Sequence, residues 1–180
     1  MTGAARIGII MGSSSDAAVM ADAARILDSL GIPHEDQIVS AHRTPDRLAT
    51  YARHAESSKF AAIVAGAGGA AHLPGMIASH TVIPVIGVPI MAYNNKNQTG
   101  AETLRLSAFG GLDSLLSITE MPAGAPVVSV GVNKAKNAGM YAAMILAVTD
   151  DSVRVALADM KQSQHDAVLK ESEELQSRGL

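Results

Sequence analysis

A parallel α/β fold is predicted by two features of the chain. Short apolar runs rich in Ile and Val alternate with segments of helical period, which implies a parallel sheet wrapped by helices. The stretch from Phe60 to Asn95 also contains no Asp, Glu, Lys or Arg. Its length suggests a membrane span, but five glycines, three prolines and two histidines interrupt it. Buried strands joined by tight turns account for it better.

The elements follow in order. Arg6 to Met11 reads as a short buried strand. Asp16 to Leu30 reads as a helix with apolar positions Val19, Met20, Ala23, Ile26, Leu27 and Leu30, closed by Gly31. Pro33 to Val39 is extended. Pro45 to Glu56 is a second helix, because a proline suits the first helical turn and Leu48, Tyr51, Ala52 and Ala55 share one face. Ala61 to Ala65 is a third strand, Leu73 to Ser79 a short helix, and Val82 to Val88 a fourth strand that starts or lies at an edge near Pro84. Gly111 to Thr119 is helical, Pro126 to Val130 a fifth strand, and Asn133 to Ala147 an apolar helix.

Two segments stand apart from this alternation. Between the fourth strand and the next helix, residues 90–112 form a long, polar, turn-rich connection that reads as a surface excursion. From Asp151 to Gln176 the chain becomes a mostly polar helix with a thin stripe of Val153, Leu157, Met160, Val168 and Leu175. Such a stripe buries little within its own domain, so the helix is an arm on a neighbouring subunit or a solvated terminal helix. The expected division is a single α/β catalytic domain over 1–150 and a helical arm over 151–180.

Composition narrows the function. At 180 residues the chain suits one domain with a sizeable core. Aromatics are only 3%, Trp is absent and the net charge is −3, which disfavours nucleic-acid partners that need stacking rings or a basic face. With no cysteine there is no disulfide framework, zinc-thiolate site or thiol nucleophile. Residues 1–6 lack the apolar core of a signal peptide, so a cytoplasmic protein is the expectation.

Three loops carry chemistry. Ser40-Ala41-His42-Arg43-Thr44-Pro45 sets a titratable imidazole beside a guanidinium at the mouth of a strand-to-helix loop, where open α/β sheets bind ligands. Gly12-Ser13-Ser14-Ser15-Asp16 follows the first strand. There Gly12 allows a close turn, the serines and free helix N–H groups can face an anion, and Asp16 can cap the helix or hold a sugar hydroxyl. No Gly-Lys-Ser/Thr follows, so this is not a Walker loop. The third loop, Gly66-Ala-Gly68-Gly69-Ala70-Ala71-His72-Leu73, satisfies G-x-G-x-x-A, but no acidic residue lies about twenty positions on to hold a ribose. What remains is a side-chain-poor wall for a flat ligand, or a tight turn that packs sheet on helix. Of six histidines, only His42 and His72 fall in loops at the C-terminal ends of strands. His34, His54, His80 and His165 read as solvated or structural. No regularly spaced further ligand suggests a metal.

These three motifs, with Gly87-Val-Pro89, Asp113-Ser-Leu-Leu-Ser-Ile118, Met121-Pro122 and Asn137-Ala-Gly139, closely resemble the class I N5-carboxyaminoimidazole ribonucleotide mutases of purine biosynthesis. The resemblance implies a flavodoxin-like three-layer α/β/α sandwich and a homo-octamer with active sites at subunit junctions. It also implies transfer of a carboxylate from an exocyclic nitrogen to ring carbon 4 of an aminoimidazole ribonucleotide, without ATP, metal or biotin. By that resemblance His42 would be the general acid/base. Gly12, Ser13, Ser15, Asp16 and Arg43 would surround the ribose phosphate and carboxylate, Ser40 and Ala41 would shape the pocket, and Gly68, Gly69, Ala70, His72 and Leu73 would cover the ring. Arginine rather than lysine after His42 favours the mutase over a direct carboxylase that uses carbon dioxide. A nucleotide-binding module without turnover is the non-enzymatic alternative. The 90–112 connection is about twice the family's usual ten residues, and no role is assigned to Tyr93 or Lys96.

Overall fold

The computed structural model describes residues 5–91 and 108–179. Five strands form one sheet: β1 (Arg6–Met11), β2 (His34–Ile38), β3 (Phe60–Gly68), β4 (Val85–Ile90) and β5 (Val128–Ser129). The order is β2-β1-β3-β4-β5 and every pairing is parallel. This is the flavodoxin-like doubly wound arrangement, as the motifs imply. The helices are α1 (Ala17–Ser29), α2 (Pro45–Ser57), α3 (His72–Ala78), α4 (Ala108–Thr119), α5 (Ala135–Leu146) and α6 (Asp151–Ser177).

Period-2 alternation splits the strands between two cores. Ile7, Ile9, Val64, Ile86 and Val88 face α1 and α5, whereas Ile10, Ile63, Ala65 and Val85 face α2, α3 and Ile118 of α4. Close approach on the first face depends on Gly139 of α5. A Cβ there would overlap Ile26 Cγ2 and lie 2.9 Å from the Ala23 carbonyl oxygen and 3.1 Å from its Cα. Backbone atoms cannot yield as a side-chain tip does, so α1 and α5 would have to separate. Gly139→Ala should therefore lower the melting temperature by about 3–10 °C. An unchanged thermal scan would show that the two helices slide at little cost.

Two strands differ from expectation. β4 begins only at Val85: Val82 is exposed, and Thr81 and Val82 are bonded to the Glu56 carboxylate instead of to a strand. Pro84 therefore marks a start, since β4 lies inside the sheet. The strand also runs on through Pro89, because β5 has ended at the Gly87–Ser129 pair and nothing there needs the missing N–H. β5 itself is two residues instead of the expected five, with Pro126 upstream unable to donate to a ladder. Most of the long 90–112 connection, with Tyr93 and Lys96, lies outside the described residues.

β2 is one edge strand, with β5 at the opposite edge, and polar contacts hold it. His34 places Nδ1 2.7 Å from Asp36 and Nε2 3.1 Å from Asp28. Partial burial opposes the imidazolium, but the two carboxylates outweigh it and hold the pKa above the ordinary 6.5. The charged ring thus contributes stability in full below pH 6.5, and this contribution is lost as pH rises through the raised folded value. His34→Gln should flatten the fall in urea midpoint that the parent shows over that interval. Parallel pH profiles would remove His34 from this role.

Candidate active site

In the order β2-β1-β3, the chain leaves β1 toward one side of the sheet and later returns on the other. The crevice between the C-terminal ends of β1 and β3 is the topological switch point. The loops after β1, β2 and β3 meet there around a cleft of about 400 Å³. Every residue singled out in the three motifs lines it: Gly12, Ser13, Ser15 and Asp16 from the first loop, Ser40 to Arg43 from the second, and Gly68 to Ala70, His72 and Leu73 from the third.

The first loop makes a single turn of 3-10 helix over Ser14–Asp16 before α1 starts. Ser13 caps it by accepting the Ser15 N–H at 3.4 Å. Asp16 stands at the N-terminus of α1 yet makes no side-chain cap bond, so its carboxylate is not spent on the helix. It is buried and accepts from the Ser15 hydroxyl at 3.2 Å. Burial pushes its pKa up, against the pull of the Ser15 hydroxyl, the Ser13 backbone, the Arg43 charge and the Gly12 backbone. Gly12 is not the tight-turn glycine expected from the motif. Its φ is not left-handed, and an added Cβ would meet only Asp16 Oδ2 at 3.8 Å. A side chain there would project beside the Asp16 carboxylate.

The second loop is anchored by Val39, whose N–H bonds to the Met11 carbonyl at 2.8 Å. It closes on itself through the Thr44 N–H and hydroxyl, both bonded to the Ser40 carbonyl at 2.9 Å. Arg43 straps this loop to the first. Its Nη2 donates to the Gly12 carbonyl at 2.9 Å and its Nε to Ser40 Oγ at 3.2 Å. The guanidinium therefore serves as a partition between the cleft and a neighbouring groove of about 750 Å³. These two bonds engage two of its five N–H donors.

In the third loop Gly69 adopts φ +64°, a conformation other residues reach only with strain. That turn presents His72 as the first residue of α3, with Leu73 buried beneath. His72 Nδ1 then lies 2.8 Å from His42 Nε2, with the rings edge to face at 84°. The bond requires one N–H between the rings, donated by one and accepted by the other. The two loop histidines, thirty residues apart in sequence, thus form a hydrogen-bonded pair at the cleft.

The other histidines stand elsewhere. His34 bridges two aspartates, His54 contacts Glu35, His165 lies beside Asp166, and His80 is exposed. Among the described residues no group of three or more His, Cys, Asp or Glu gathers as metal ligands, and no helix is long and apolar enough to cross a membrane. The motif reading gave no role to Ala67, which also lines the cleft, or to Arg47, which lines the adjoining groove and donates to Gln37 at 3.0 Å. Arg47 stands in the first turn of α2, two residues after Pro45, and no local signal marked it.

With this geometry in place, comparison with known proteins gives a consistent result. A family model described as AIR carboxylase matches residues 6–167. The chain is 48% identical to the N5-carboxyaminoimidazole ribonucleotide mutase of Thermotoga maritima, over 97% of this chain and 94% of that one. The Escherichia coli K12 protein of the same name is 46% identical, over 92% and 91%. A chloroplastic phosphoribosylaminoimidazole carboxylase from Vigna aconitifolia is also 46% identical, but this chain spans only 28% of its length. In fold, the crystal structure of Treponema denticola PurE superposes with a TM-score of 0.78 at 23% identity, over 94% of this chain and 97% of that one.

Proposed function

The chain belongs to the AIR carboxylase family, and from that premise we propose that it is an N5-carboxyaminoimidazole ribonucleotide mutase of purine biosynthesis. The product is 4-carboxy-5-aminoimidazole ribonucleotide. The observation that carries this reading is the His42–His72 pair at the mouth of a cleft that also presents Asp16 and Arg43.

The chemistry needs one mobile proton and one held fragment. The carbamate C–N bond breaks, its electron pair stays on nitrogen, and His42 supplies the proton that nitrogen takes up. The carbon dioxide released must stay beside ring carbon 4, which attacks it to form the new C–C bond. His42 then accepts the hydrogen lost from that carbon and returns to its starting state. The reaction is an isomerisation, so atoms balance without a co-substrate. His72 holds the His42 ring by their shared N–H. Asp16 accepts from a ribose hydroxyl, and Ser13, Ser15 and the N-terminus of α1 face the phosphate. Arg43 keeps its charge and steers the migrating carboxylate from its strap position. Gly68 to Ala70 let the flat ring approach the backbone, with Leu73 below it.

The protein assembles as a homo-octamer with sites at subunit junctions, and it acts in the cytoplasm. The domain over 1–150 carries the catalysis, while α6 is an arm on a neighbour. Only Val153 and Leu157 of that helix are buried against their own chain, whereas Val168, Leu169 and Leu175 are exposed by half or more.

Relatives named carboxylase make direct use of carbon dioxide the second reading. Two assays separate them: the carbamate substrate without bicarbonate, and 5-aminoimidazole ribonucleotide with bicarbonate. Faster turnover in the first is expected, and faster turnover in the second would replace mutase by carboxylase. Binding of the ribonucleotide with no turnover in either would leave a nucleotide-binding module.

A further inference from the structure

Thr44 occupies the position before α2 where a threonine ordinarily caps the helix, but its side chain makes no cap bond. The hydroxyl turns back instead. It donates to the Ser40 carbonyl at 2.9 Å and accepts the Ser40 N–H at 3.2 Å, beside the backbone bond from the Thr44 N–H to the same carbonyl at 2.9 Å. Between these two residues, Ser40 Oγ also accepts the Arg43 N–H at 3.3 Å.

We propose that Thr44 is a positioning residue for the reaction: its hydroxyl closes the Ser40–Thr44 loop and thereby holds the His42 ring against His72 and the Arg43 guanidinium against Gly12. Among the described residues, the side-chain hydrogen bonds that join this loop to the other two are those of His42 and Arg43, to the loops after β3 and β1 respectively. A closed five-residue ring with two outward arms ties all three loops together. Thr44 is exposed and its hydroxyl caps nothing, so the fold gains little from it. What the hydroxyl restricts is the freedom of the two residues at the loop's tip. Without it the Ser40 N–H loses its partner, one bond to the Ser40 carbonyl disappears, and the imidazole can swing away from the line that proton transfer needs.

This inference rests on the mutase reading, and its test distinguishes the two. The full-length protein is compared with Thr44→Val, which is isosteric without the hydroxyl, and Thr44→Ser, which keeps it. Thr44→Val should lower kcat by about 10- to 100-fold with KM changed by less than about threefold, and Thr44→Ser should stay within about twofold of the parent in both. The His42 imidazole NMR signal, assigned by its absence in His42→Asn, should move in the valine variant and not in the serine variant. Thr44→Ala replaces the valine variant should that one not fold.

Parental kcat and an unmoved His42 signal in Thr44→Val would overturn the proposal. So would an equal loss in Thr44→Ser, which would place the effect in the methyl group, or failure of both the valine and alanine variants to fold, which would assign the hydroxyl to stability. If the parent itself shows no interconversion, the mutase reading fails, and the imidazole signal still decides whether Thr44 sets the ring.

Discussion

His42→Asn is expected to lower the rate of carboxylate transfer by about 10²–10⁴-fold, the usual worth of a positioned acid/base, while ribonucleotide affinity changes by less than about threefold. The two effects separate because the ring stands at the mouth of the cleft. The groups proposed to hold the ribose and phosphate, Ser13, Ser15 and Asp16, belong to another loop. Asparagine keeps a polar side chain of similar reach but cannot take up and return a proton near neutrality. The bond to His72 also matters, because it fixes which way the His42 ring points. Single-turnover rates and calorimetric titration with the product ribonucleotide measure the two quantities separately. Turnover near the parental rate would take the proton transfer away from His42, and a parallel collapse of binding would make it a binding residue.

The parts of this arrangement differ in how far they could be foreseen. Strand and helix positions followed from local pattern: the apolar stripe of α2 falls on Leu48, Tyr51, Ala52 and Ala55, all of them buried. The loops were legible for the same reason. Each motif begins where an apolar run ends, and a parallel sheet sends every such end to one edge. Strand limits were less legible, because they depend on the neighbour. Pro89 can sit inside β4 only because β5 is already over.

Tertiary contacts lay beyond the motifs altogether. Nothing local to Ser40–Pro45 indicates that Arg43 reaches the Gly12 carbonyl, or that His42 meets a ring from α3. Gly12 shows the complementary error. Its residue type suggested a backbone constraint, whereas the backbone is ordinary and the space beside it belongs to the cleft. The Thr44 hydroxyl is likewise set by contacts that no motif displays: it stands at the N-cap position of α2, but its oxygen accepts the Ser40 N–H and its proton goes to the Ser40 carbonyl.

Asp16→Asn is expected to move stability and binding in opposite directions. Burial pushes the Asp16 carboxyl above its ordinary pKa of 3.8, so the ionised form is worse accommodated in the folded chain than in the unfolded one. The folded state therefore holds more protons across the interval from 3.8 up to the raised value, and stability falls as pH rises through it. The cost is fully present only above the raised value. Asparagine removes the charge and keeps a hydrogen-bonding group, so the melting temperature above the raised value should rise. The gain should shrink as the pH is lowered toward 3.8. Affinity for the ribonucleotide should fall by about 10- to 100-fold, because a charged acceptor for a ribose hydroxyl has been replaced by a neutral amide. A carboxylate held at a cost in stability, unused by the helix it precedes and aimed into the cleft, is what a binding role requires and a purely structural role does not explain. Were the variant to melt earlier and bind as tightly as the parent, Asp16 would belong to the architecture of the first loop and not to the ligand.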